Sequence, residues 1–113
     1  MKRFALIFLV TCFQIVPVFG HHSFPATYLV NEEVEIKGEV VAFLFRNPHA
    51  TIQVMVTEAN GEKVRYLIEW AGAAGLANSG VTRGTLIAGN NLVIRGNPGR
   101  NEADHRMRLL SVS

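Results

Sequence analysis

The chain has 113 residues, 11 basic and 9 acidic, with 49% hydrophobic residues and one cysteine. That length suits one domain and excludes two, and a lone cysteine excludes an intramolecular disulfide framework or a cysteine-rich metal centre. Lys2 and Arg3 sit in the apolar start; without residues 1–20 the charges balance at 9 − 9 = 0, so basicity gives no argument for a nucleic-acid partner.

Residues 1–20 have the order of a secretory signal peptide. Lys2 and Arg3 give a positive start, Phe4 to Val18 is apolar except for Thr11 and Gln14, and Val18-Phe19-Gly20 fits the cleavage positions. The run is short for a membrane span and lacks a basic stop-transfer flank. The expectation is export to the periplasm or beyond, cleavage after Gly20, one domain over 21–113, and no membrane span after processing.

Residues 21–31 contain Pro25 and no periodicity, which predicts an extended arm. From Glu33 to Leu44 the pattern alternates. Val34, Ile36, Gly38, Val40, Ala42 and Leu44 share one face, and Glu33, Glu35, Lys37 and Glu39 share the other. Gly38 suggests a bulge or bend. Asn47-Pro48 predicts a turn, and a second strand follows at 50–57. Asn60-Gly61 is a strong hairpin signal leading into a third strand at 64–70. Residues 73–78 predict a short helix ending at Gly80. Strands at 91–96 and 107–112 flank a polar loop through Asp104.

Three meandering strands, a helix and two more strands predict an all-β, five-stranded OB-fold-like barrel with one short helix. An SH3-like barrel or a small β-sandwich is the alternative. The expected interior is Val34, Ile36, Val40, Ile52, Val54, Val56, Leu67, Leu92, Ile94 and Leu109.

Catalytic constellations are absent from the pattern. There is no P-loop and no CxxC, and Asp104 is the sole aspartate. Glu33 and Glu35 share a solvent face at strand spacing, with Glu32 beside them. Phe43, Phe45, Tyr66 and Trp70 lack the basic stripe that a single-strand binder needs, so no nucleic-acid partner is expected. No catalytic residue and no organic cofactor site is assigned.

The histidines are His21, His22, His49 and His105. Cleavage after Gly20 makes His21 the terminus, where its free amine and ring Nδ1 chelate one metal ion. A third imidazole completes a nitrogen set suited to Cu(II). His49, presented by Pro48 before a strand, is the expected third ligand, with Asn47 orienting its ring by a second hydrogen bond. A second mode uses the amine with the amide and ring of His22. His105 is expected to be solvated. The competing reading makes 21–25 a docking arm and His49 a turn residue.

These motifs resemble a family of short exported bacterial proteins of unknown function. The resemblance runs through HHSF at 21–24, Gly38-Glu39-Val40-Val41-Ala42-Phe43, Asn47-Pro48-His49, Glu69, Leu76 to Gly80, Gly89 and Gly96. The chain departs from the family pattern at Tyr66, at Trp70 and at Gly80-Val81. The resemblance implies export and the fold and supplies no activity. Three functions therefore follow as expectations, in order: a non-enzymatic exported barrel binding copper or another divalent transition metal; a metal-free periplasmic module for a small ligand or protein; and a copper-dependent oxidase.

Overall fold

The computed structural model describes residues 24–113. The expected signal peptide, its cleavage site, His21 and His22 lie outside the described residues. Five strands, β1 (Val34–Leu44), β2 (Thr51–Thr57), β3 (Lys63–Glu69), β4 (Asn91–Pro98) and β5 (Arg106–Val112), close a barrel in the order β1-β2-β3-β5-β4. Neighbours run antiparallel except β3 and β5, which pair in parallel over Leu67–Glu69 and Arg106–Arg108. A helix, here α2 (Ala73–Asn78), joins β3 to β4. A three-strand meander, a helical crossover and two returning strands make this an OB-fold barrel. No described helix is long and apolar enough to cross a membrane.

The core follows from alternation. Val40, Ile52, Val54, Val56, Ile68, Leu92, Ile94, Met107 and Leu109 point inward and are buried. Two expected interior positions differ. Val34 is exposed at the mouth of β1. Leu67 is half-buried on the outer face, because β3 turns Tyr66, Ile68 and Trp70 toward the core instead. Ile36 packs against the core from a partly buried position.

The expected irregularity of β1 falls at Val41 rather than at Gly38. Pairing with β2 shifts register between Val40 and Ala42. An extra residue reverses the faces beyond it, so Phe43 joins the core and Leu44 turns out to solvent. Gly38 instead permits a close strand approach: a Cβ there would stand 2.9 Å from the Met55 carbonyl oxygen.

The arm is not wholly extended. Phe24–Thr27 forms a single helical turn, α1, with Pro25 at its start, where a missing N–H costs nothing. Tyr28 then bridges to Gly99, and its ring is buried at 1% exposure outside the barrel. The Leu29 N–H donates to Pro98 O at 2.9 Å, and the Arg100 N–H donates to Thr27 O at 2.9 Å. Buried Asn97 adds a side-chain bond to Glu32 O at 2.8 Å. Arginines of β4, β5 and the loop between them hold this arm in place. Arg95 pairs with Glu33 at 2.7 Å, Arg100 donates to Pro25 O at 2.7 Å, and the Arg108 guanidinium lies 3.9 Å above the Phe24 ring.

Candidate functional site

The loop between β1 and β2 carries Asn47, Pro48 and His49, and its neighbours strap it to the segment after β3. The Ala50 N–H donates to Ala71 O at 2.9 Å, the Trp70 N–H to Ala50 O at 2.9 Å, and the Ala73 N–H to Arg46 O at 3.1 Å. Gly72 passes so close that a Cβ there would meet Pro48 O at 2.6 Å and Asn47 Oδ1 at 2.8 Å. Only a glycine lets the two backbones touch.

These straps fix His49. Its Nδ1 lies 3.3 Å from the Trp70 carbonyl oxygen. A carbonyl only accepts, so this contact calls for the tautomer with the proton on Nδ1 and leaves the Nε2 lone pair free. The ring is half-buried and meets Phe24 edge-on at 5.9 Å between centroids. Asn47, expected to orient this ring, does something else: its Oδ1 accepts from the Ala74 N–H at 3.2 Å, holding the start of α2. The partner of the imidazole is the Trp70 carbonyl.

Glu69 stands at the end of β3, in register with Thr51 of β2 and Arg108 of β5. The Tyr28 hydroxyl donates to its Oε2 at 2.5 Å, and the Arg106 guanidinium lies 4.0 Å away. Burial and the Glu69 carboxylate together push the Tyr28 phenol well above its ordinary range. Phe24, Tyr28, Pro48, His49, Glu69 and Arg106 enclose a cleft of about 290 Å³. Hollows on either side share His49 and Glu69 as walls. One continues toward Trp70 and Leu109, the other toward Arg46 and Thr51.

The structure therefore brings His49 together with Phe24 of α1, and joins neither to His105. His105 is half-buried rather than solvated. It caps the 3-10 turn Glu102–Asp104 at φ 46°, and its ring lies 5.2 Å from Tyr66 in a separate hollow. Tyr66 is also pushed upward, by burial first and then by Glu58 and Glu102. Among the described residues, no group of three or more His, Cys, Asp or Glu side chains is placed to hold a metal. Glu33 is spent on Arg95, and Glu32 and Glu35 are exposed.

Tyr28, Thr51 and Arg106 escaped the sequence reading. Their signals are weak: an aromatic in an unpatterned arm, a threonine at a strand start and an arginine in a polar stretch.

The barrel order defines a class, the OB-fold barrels, and known structures agree. The mitochondrial single-stranded DNA binding protein Rim1 from S. cerevisiae is similar at a TM-score of 0.53 and 10% identity, over 73% of this chain and 91% of that one. At that identity the likeness concerns the fold alone. No curated protein matches the chain. The chain belongs to a family of unknown function, DUF6152, whose model matches residues 9–108.

Proposed function

We propose that the chain is an exported, non-enzymatic OB-barrel module that binds a divalent transition metal, with Cu(II) preferred, through His49 and the two histidines that precede α1, His21 and His22. The observation that carries this reading is the docking of α1, which seats Phe24 against the His49 ring at 5.9 Å. Three residues lead from His21 to Phe24, a reach of at most about 10 Å even when extended. A chain cleaved after Gly20 thus has its amine and two imidazoles within range of the free His49 Nε2. Neutral imidazole and amine nitrogen suit Cu(II), and an export compartment supplies no thiolate competitor from this chain. Export itself is supported by the order of residues 1–20, with its positive start, apolar run and Gly20 at the cleavage position.

A nucleic-acid role draws less support. OB barrels commonly bind oligonucleotides over β2 and β3 and the flanking β1–β2 and β4–β5 loops. Here the chain's own Phe24 and Tyr28 pack at one end of that face, beside the β1–β2 loop and the end of β3, and Glu69 adds a carboxylate there.

The test is Cu(II) titration of the protein that begins at His21, read by competition with a chelator of known affinity. The reading expects one tight site per chain and a weaker one in His49→Ala. Equal affinity in the two proteins would reject His49 as a ligand.

A further inference from the structure

The cleft beside His49 has two unlike ends, and together they describe an organic ligand. On one side Phe24, Trp70 and Leu109 offer an apolar wall, with the Arg108 guanidinium at its edge held over the Phe24 ring at 3.9 Å. On the other, Arg46, Thr51 and Arg106 line the hollow past His49 and Glu69. Arg46 makes no ion pair among the described residues. The Thr51 hydroxyl, in a residue only 8% exposed, is buried with no partner, and so is Arg106 Nε. Buried donors without acceptors are rare in folded proteins, and two beside one cleft mark a place where an acceptor is missing.

Charge says what kind of acceptor. Glu69 is already engaged by the Tyr28 hydroxyl and by Arg106. Two guanidiniums against one carboxylate leave one positive charge in excess at the polar end. Arginine's planar fork matches a carboxylate, and the Arg106 side chain is partly exposed beside the hollow.

We infer that this cleft binds a small monocarboxylate with an apolar body, its carboxylate toward Arg106 and Arg46 and its body against Phe24 and Trp70. The site goes beyond the metal reading and does not rest on it. Arg106 gives the fork, Arg46 the excess charge, and the Thr51 hydroxyl a further donor. Trp70, the sole tryptophan of the chain, reports on occupancy.

The experiment follows Trp70 fluorescence as the protein beginning at His21 is titrated with cyclohexanecarboxylate, with EDTA present throughout. Cyclohexanecarboxamide, alike in shape but uncharged, is the control. The expected result is a saturable change with the acid and binding roughly tenfold weaker with the amide. Arg46→Gln, at an exposed position that keeps the fold, and Arg106→Lys, which keeps the charge but loses the fork, each weaken the acid by several-fold and leave the amide unchanged. No saturable change with the acid overturns the proposal. So does equal binding of acid and amide, or retention of full affinity in Arg46→Gln. Because EDTA removes any metal, failure here leaves the copper reading untouched, and failure of copper binding leaves this one untouched.

Discussion

Replacing Tyr28 by Phe removes one oxygen from the latch between the arm and the barrel. The ring, 1% exposed, stays buried, so transfer and cavity terms are unchanged. What is lost is the 2.5 Å bond to the Glu69 carboxylate. Hydrogen bonds to charged groups contribute about 1.5–3 kcal/mol. Glu69 keeps Arg106 at 4.0 Å and its side chain is 19% exposed, so water recovers part of the loss. The expected cost is about 1–2 kcal/mol, or roughly 5–10 °C in Tm for a domain of this size. Urea melts of wild type and Tyr28→Phe at pH 7 read it directly. The difference also depends on pH. An unfolded phenol ionises near pH 10, whereas the folded one is held neutral well above that. The unfolded chain then binds fewer protons than the folded one, so this contribution is full below about pH 10 and falls as pH rises further. Tyr28→Phe lacks that titration, while Tyr66 titrates alike in both proteins. The stability gap should therefore narrow above about pH 10. A difference under about 0.5 kcal/mol at pH 7, or a gap that widens at high pH, would refute the latch.

Gly72→Ala should destabilise by about 1–3 kcal/mol, since its Cβ presses on backbone at Pro48; amide shifts of Asn47 and His49 should report the displaced loop. Ile68→Ala should cost about 2–5 kcal/mol and Leu67→Ala much less, because only Ile68 is fully buried; reversed costs in chemical denaturation would mean that β3 faces the other way. Arg108→Gln should lose about 0.5–1 kcal/mol with the cation–π contact to Phe24, seen as faster hydrogen exchange at the Tyr28 amide, which donates to Phe24 O at 2.7 Å.

Local patterns made the barrel legible. Alternation marked β1 and β2, Asn60-Gly61 marked the hairpin, and small residues ending at Gly80 marked α2. The errors came where local pattern underdetermines geometry. Adjacent Leu67 and Ile68 are equally apolar, and only the register with β2 decides which one faces inward. A bulge at Val41 exchanges the faces of β1 without any residue that announces it. A single helical turn at α1 is too short to show a period. The site was half legible. His49 followed from its turn and Glu69 from the family resemblance. Tyr28 and Arg106 depend on contacts across 41 and 37 residues to Glu69, which no window along the chain contains.

The most direct test of the metal reading moves the chain start and nothing else. Cu(II) affinity is compared between the protein that begins at His21 and the same protein retaining Gly20. An added residue takes the His21 amine out of its chelate but leaves every imidazole, the docked arm and the barrel in place. The account predicts a large loss of affinity on retaining Gly20, larger than that of His49→Ala. Equal affinity for the two starts would contradict it.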